Sequence, residues 1–297
     1  MKSLIVLIFN PTAKRASDKK IARAFHFLKS KGYKVEVLFT EQKGDAESLA
    51  REAIKESPSM IIVAGGDGTF NEVINGIAGS EIPMAILPLG TTNVLAKELS
   101  VPEVVEDAME VALSSAPRTV SLGRIVQSSA LSNSERVSRY FCLMAGIGFD
   151  GEAVFRTNET LKKISGKGAY IYSGIKTLSG FNPGELIFDI DGRTYSGYSA
   201  VISKAAKYGG NFKITPDAKL TNPLLYICLF KGKKRLDILR YVFGIIVGRH
   251  LRFRDVEYVK ATTVEVKGNA HVQIDGDYFG KTPAKVEIVP NIVRLLF

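Results

Sequence analysis

Met60-Ile61-Ile62-Val63-Ala64-Gly65-Gly66-Asp67-Gly68-Thr69-Phe70-Asn71-Glu72 runs from four apolar residues through a glycine-rich turn straight into a helical pattern over residues 70–78. A short uninterrupted apolar run is the mark of a strand covered on both faces, and an amphipathic helix directly after it is the start of a βα unit. The same alternation extends to both sides. Upstream, Leu4 to Phe9 is apolar, Ser17 is placed to cap a helix carrying Ile21, Ala24, Phe25 and Leu28, and Gly32 ends it. A strand over 33–40 and a helix capped by Asp45 follow. Downstream come a strand over 84–87 and helices over 93–99 and 103–113. The order predicts an α/β domain with a parallel sheet.

From about Pro117 the period changes. Short alternating stretches at 140–145, 186–190, 195–202, 224–230, 263–266, 271–274 and 285–289 are separated by Gly, Asn and Asp, and Asp191-Gly192 is a hairpin signal. This predicts a mainly antiparallel β-sandwich over residues 121–297 after an α/β domain over 1–120, with allowance for the last strand to return to the first domain. Two helices, over 168–178 and 235–249, interrupt it. The opening MKSLIVLIF is too short for a signal peptide or a membrane span and reads as a buried strand. Cys142 and Cys228 lie in apolar runs with neither disulfide nor metal spacing, which points to packing roles in a reducing compartment.

Charge is uneven. Residues 1–122 carry 14 Lys+Arg against 15 Asp+Glu, and residues 123–297 carry 26 against 15, so the halves hold −1 and +11 of the net +10. The second half is suited to an anionic partner, nucleic acid or membrane surface. Residues 231–260 concentrate the excess, with nine Lys and Arg against Asp237, Asp255 and Glu257 around an apolar segment over 241–247. That is either a basic amphipathic helix at a membrane surface or a packed helix with solvated charges.

The glycine-rich turn reads as a phosphate cradle because glycines admit backbone N–H groups close to phosphate oxygens at a helix start. Asp67 stands where a carboxylate could orient Mg²⁺ or an attacking hydroxyl. Alone, the turn equally reads as strand–turn–helix with Thr69-Phe70-Asn71-Glu72 as a capping box. Its neighbours favour the cradle. The strands around it end in Asn10-Pro11-Thr12-Ala13-Lys14, in Thr40, and in Pro88-Leu89-Gly90-Thr91-Thr92-Asn93. In a parallel sheet these C-terminal ends share one edge, where such folds bind ligands, and Lys14, Thr40, Thr69 and Thr91 then gather there.

NPTAK, the Thr40…Gly44-Asp45-Ala46 segment, GGDGTFNEVING and LPLGTTN together resemble the diacylglycerol kinase catalytic family, which includes sphingosine kinases and bacterial lipid kinases. GIGFD at 146–150, Pro216-Asp217-Ala218 and IDGD at 274–277 continue the resemblance through the second half, where the family carries Asp-Gly-Glu at the last position. GGDG alone also occurs in NAD kinases and phosphofructokinases. The resemblance implies a two-domain kinase with the nucleotide between an α/β domain and a β-sandwich. Asn10, Pro11, Thr12, Lys14, Thr40, Gly65, Gly66, Asp67, Gly68, Thr69, Asn71, Glu72, Gly90 and Thr91 are then expected at ATP, which brings Mg²⁺. Asp275, Asp277 and Asp67 are the expected catalytic carboxylates, with Asp277 as base, although the order of Asp275 and Asp277 stays open. The literal Asp-Gly-Glu at 150–152 is set aside because it follows the GIG segment. The expected partners are a lipid substrate and an anionic membrane surface rather than nucleic acid, with the protein cytoplasmic and peripheral to the inner face of the membrane.

One departure bears on metal. Where the family's structural magnesium uses an Asp-Asp-Gly run after Pro-Asp-Ala, this chain reads Ala218-Lys219-Leu220-Thr221-Asn222-Pro223. Asp217 is left as its single candidate ligand, and the structural metal is expected to be weak or absent. A soluble-substrate kinase of the NAD kinase type and a non-catalytic nucleotide- or acidic-lipid-binding protein are the rival readings. The sequence leaves the lipid and the oligomeric state open.

Overall fold

The computed structural model describes residues 2–127, 137–160, 178 and 181–297. The chain divides into two compact units, Met1–Leu122 with Pro290–Phe297, and Gly123–Val289.

In the first unit β1 (Lys2–Phe9), β2 (Tyr33–Phe39), β3 (Met60–Gly65) and β4 (Met84–Pro88) form a parallel sheet in the order 2-1-3-4. Residues 5–9 and 61–64 are almost wholly shielded from solvent, as expected for strands with helices on both faces. Those helices are α1 (Asp18–Ser30), α2 (Asp45–Ala53), α3 (Asp67–Ile77), α4 (Val94–Leu99) and α5 (Val105–Ser114). Ser17 caps α1, its side chain accepting from the N–H of Lys20, and Ile21, Ala24 and Leu28 are its buried stripe. The cap of α2 differs from expectation: Gly44 in a left-handed conformation holds that position. Asp45 sits in the first turn and its carboxylate accepts from the N–H groups of Glu41 and Gln42 at 2.9 Å each.

Helix α3 begins at Asp67, three residues before the point the apolar pattern indicates. Its N-cap is Gly66, so no side chain announces the start. Thr69 therefore lies inside the first turn and the Thr69–Glu72 capping box does not form.

The second unit consists of antiparallel strands in two sheets. One runs β14 (Val256–Ala261), β13 (Leu225–Phe230), β10 (Ser199–Ser203), β7 (Met144–Ile147), β16 (His271–Ile274), β17 (Asp277–Lys281). The other pairs β9 (Arg193–Gly197) with β8 (Leu186–Ile190), β8 with β15 (Thr263–Lys267), and β15 with residues 284–287 of β18 (Ala284–Leu296). Phe141, Phe188, Ile202, Ile227, Val264, Val272 and Val286 belong to one buried cluster. The Asp191-Gly192 hairpin forms with φ of 46° and 80°, as a two-residue turn between β8 and β9 requires. Farther along β18, Leu295 pairs with Met84 in the first unit's sheet.

Two expected strands are each divided. The stretch over 195–202 becomes β9 and β10, which belong to different sheets, because the chain turns at Tyr198, whose N–H bonds Phe230 O at 3.0 Å. The stretch over 140–145 becomes β6 (Ser138–Phe141), paired with β5 (Pro117–Gln127), and β7. Helix α6 (Phe149–Thr160) follows the GIG segment. Helix α7 (Arg235–Ile246) stops before the expected 249, and Gly248 has φ of 68°. The helix expected over 168–178 lies outside the described residues apart from Leu178.

Candidate active site

The strand register of the first unit brings its loops to one level. Phe9 pairs with Phe39 and with Ala64, and Gly65 pairs with Pro88. Each strand end passes one more hydrogen bond into the loops: Asn10 N–H to Ala64 O at 2.9 Å, Thr40 N–H to Phe9 O at 3.0 Å, and Leu89 N–H to Gly65 O at 2.7 Å. Asn10 then organises the first loop. Its Oδ1 accepts from the N–H and hydroxyl of Thr12 at 2.9 and 2.8 Å, and its Nδ2 donates to Thr69 Oγ1 at 3.0 Å. The N–H of Arg15 reaches Leu89 O at 2.9 Å, joining the first loop to the one after β4.

Those contacts frame the start of α3. With Gly66 as N-cap there is no side-chain acceptor for the first amides of the helix, so its N-terminus keeps donors and a positive dipole end for an anion. The approach is narrow: a Cβ on Gly90 would stand 2.7 Å from the Cα of Gly66 and 2.6 Å from Asn93 Oδ1. Asn93, 1% exposed with φ of 49°, donates through Nδ2 to Gly90 O at 3.2 Å, while its Oδ1 is buried without a hydrogen-bond partner. Glycines pressed together and helix amides are features of a cradle that a phosphate group fits, while the Asn93 Oδ1 acceptor calls for a donor such as a hydroxyl or amine. Pro11, Thr12 and Lys14 are exposed on the first loop, Gly68 is exposed, Thr91 is half-buried and Thr40 is buried.

Other expected residues have local duties. Asp67 accepts the N–H groups of Val94 and Leu95 at 3.0 Å each, and so caps α4. Burial holds its carboxyl above the ordinary value, with those amides and Lys97 pulling the other way. Glu72 is buried and accepts from Ala46 N at 3.3 Å, at the start of α2, while Asn71 Oδ1 accepts from Asn75 Nδ2 at 3.1 Å.

In the second unit, Asp275 and Gly276 have φ of 48° and 93° and form the two-residue turn between β16 and β17. The Oδ1 of Asp275 accepts from Leu143 and Met144 and its Oδ2 from Cys142, all backbone N–H groups at 2.9 Å. Three backbone amides fix this carboxylate in place. Asp277 is the first residue of β17, half-buried, its backbone opposite Ile274.

A second acid supports this turn, and sequence reasoning set it aside. Asp150 accepts from the hydroxyl of Tyr208 and, at 2.5 Å, from Gln273 Nε2, while Gln273 Oε1 accepts from Gly276 N at 2.8 Å. Burial raises the Asp150 carboxyl and the two donors oppose that rise. Gln273 is 2% exposed, so its amide is locked between Asp150 and the turn. Only the GIGFD spacing hinted at this role. A cavity of ≈ 160 Å³ near the start of α6 includes Gly148, Glu152, Tyr198 and His271 in its lining. It is smaller than the roughly 300 Å³ of an ordinary small-molecule site.

The segment after Pro216-Asp217-Ala218 is held by a side chain the sequence did not single out. Lys204, with no exposed surface, directs its ammonium to the carbonyls of Asn222, Leu224 at 2.9 Å and Lys219 at 3.5 Å. Burial pushes its pKa down to about 8. Asp217 is exposed, and among the described residues no group of three or more His, Cys, Asp or Glu is placed to hold a metal. In this segment the Lys204 ammonium is the cation that meets the three carbonyls.

The chain matches the family model of the diacylglycerol kinase catalytic domain over residues 4–125 and that of the YegS C-terminal NAD kinase beta sandwich-like domain over residues 144–297. A diacylglycerol kinase of Bacillus subtilis (strain 168) is 29% identical over 287 residues, covering 94% of this chain and 91% of the relative. A diacylglycerol kinase of Staphylococcus aureus (strain JH9) is 29% identical over 292 residues, 96% and 89% of the two chains. Among solved structures, a diacylglycerol kinase from Bacillus anthracis str. Sterne has a TM-score of 0.72 at 21% identity, covering 100% of this chain and 98% of the other. Yeast NADH kinase complexed with NADH has a TM-score of 0.55 at 10% identity, covering 99% and 84%.

Proposed function

Since the chain belongs to the diacylglycerol kinase catalytic family, we propose that it transfers the γ-phosphoryl group of ATP to the hydroxyl of a lipid, diacylglycerol or a related lipid alcohol. The observation that carries this reading is the uncapped N-terminus of α3 behind the Gly66–Gly90 contact, whose amides suit a phosphate chain. In this reading Asn10, Thr12, Lys14, Thr40, Thr69 and Thr91 surround the nucleotide. Mg²⁺ brought with ATP would supply charge neutralisation on its phosphates.

The lipid oxygen forms the new bond to Pγ as the bond from Pγ to the β-γ bridging oxygen breaks, ADP leaves, and a carboxylate takes the hydroxyl proton. We assign that proton to Asp277. Asp275 is engaged by three amides and Asp67 by the start of α4, which gives each a part in holding a loop. The acceptor would be met at a membrane, with the protein cytoplasmic and peripheral to it.

Incubation with γ-labelled ATP and a panel of lipids, with NAD as a separate acceptor, tests the reading. Label in the organic phase supports it. Label on NAD would instead favour a soluble-substrate kinase, and ATP binding without transfer a non-catalytic nucleotide-binding protein.

A further inference from the structure

Helix α7 buries Ile238, Tyr241 and Gly244 on one stripe. Its opposite stripe is equally apolar and faces solvent: Leu236 is 76% exposed, Leu239 50%, Phe243 63% and Ile246 54%. The spacing i, i+3, i+7, i+10 puts these four on one face. The inner stripe is firmly seated. Gly244 lies so close to Phe253 that a Cβ would stand 2.5 Å from its ring, and the Tyr241 hydroxyl accepts from Gly232 N at 2.8 Å and donates to Asp255 at 2.5 Å. The outer stripe is therefore presented by a helix already fixed in place. The two-residue strand Phe212–Lys213 packs beside it and adds Phe212, 44% exposed.

The rim of this face is cationic. Lys233, Lys234 and Arg235 at the start of α7, and Arg249, Arg252 and Arg254 after its end, are exposed. Three cations at a helix N-terminus oppose the macrodipole, so stabilising the helix does not explain them. Among the described residues no helix is long and apolar enough to cross a membrane. An apolar stripe inside a basic rim matches the chemistry of an anionic bilayer surface, acyl chains beneath a layer of negative headgroups.

We infer that α7 is a membrane-docking element that lays Leu236, Leu239, Phe243 and Ile246 into an anionic lipid surface, with Lys234, Arg235, Arg249 and Arg252 over the headgroups. This deepens the lipid-kinase reading by naming the surface that meets the membrane, and it requires no turnover.

The test is co-sedimentation of the full chain, without ATP, with vesicles of phosphatidylcholine alone or mixed with phosphatidylglycerol. The protein is expected to bind the mixed vesicles and to be released by added salt. The Leu239→Glu/Phe243→Glu variant is expected to bind more than roughly tenfold more weakly. The variant keeps its thermal midpoint and its ATP binding. Equal binding by variant and parent overturns the inference, as does a parent that ignores anionic vesicles. So does sedimentation velocity showing a dimer that the variant dissolves, which would make a second copy the occupant of this face. Loss of phosphoryl transfer to detergent-dispersed lipid in the parent, with vesicle binding intact, would instead strike at the kinase reading.

Discussion

Asp275 Oδ1 accepts the backbone N–H of Leu143 at 2.9 Å, joining a hairpin turn to a segment 132 residues upstream. With the bonds from Cys142 and Met144 it makes Asp275 an anchor. Asp275→Asn turns an amide donor toward backbone donors and is expected to cost about 1.5–3 kcal/mol of stability. Asp277→Asn is expected to lower kcat by roughly 10²-fold or more, as removal of a general base does. Thermal melts beside a lipid phosphorylation assay check both, and a D277N enzyme with parental turnover would remove Asp277 from the role.

The Gly66–Gly90 contact leaves no room for a methyl group. Gly90→Ala would place a Cβ 2.7 Å from Gly66 Cα and force the two loops apart. The expected result is about 1–3 kcal/mol of destabilisation and weaker ATP binding by calorimetry. Unchanged nucleotide affinity would separate the contact from the nucleotide site.

Lys204 holds three carbonyls of the segment after Ala218. Lys204→Met leaves these acceptors without their donor, at about 1–3 kcal/mol for each one that stays buried. The parent's thermal midpoint, measured without nucleotide, is expected to be the same with and without a chelator. A chelator-induced drop would reveal a structural divalent cation and contradict the assignment.

Asp150 sets a pH dependence. Its folded-state pKa is raised, first by burial, so the folded chain keeps this proton to higher pH than the unfolded chain does. Its contribution to stability is full below the unfolded carboxylate value of about 3.9 and declines as pH rises through the raised folded value. Asp150→Asn, which keeps the shape and an acceptor oxygen, is expected to flatten this part of the stability–pH curve in urea titrations. An unchanged slope would show that Asp150 titrates as it does in the unfolded chain.

Both cysteines are buried, and burial pushes the Cys228 thiol up to about 12. Thiolate is the reactive form, so Cys228 is expected to resist a disulfide reagent at pH 8 in the native protein and to react once denaturant is added. Rapid native labelling of Cys228 would contradict its place in the core.

The amino-acid sequence by itself determined the alternation of β1, α1, β2 and α2, the cap at Ser17, the Asp191-Gly192 hairpin and the strand-end loops. Each depends on residues within about one turn or one hairpin of one another, where propensity and spacing act directly. Tertiary structure decided what the carboxylates do. Asp67 meets amides 27 and 28 residues ahead, Asp275 meets amides 131 to 133 residues behind, and Asp150 meets Gln273 across 123 residues. No local pattern encodes such partners, because sheet topology alone brings them within hydrogen-bond reach. The start of α3 escaped local reading because Gly66 caps it without a side chain, and Tyr198 divides two strands because the sandwich sends β9 and β10 to different sheets. Helix α7 shows the same limit from the other side. Its composition was legible, but only folding decided which apolar stripe was buried and which was left facing out.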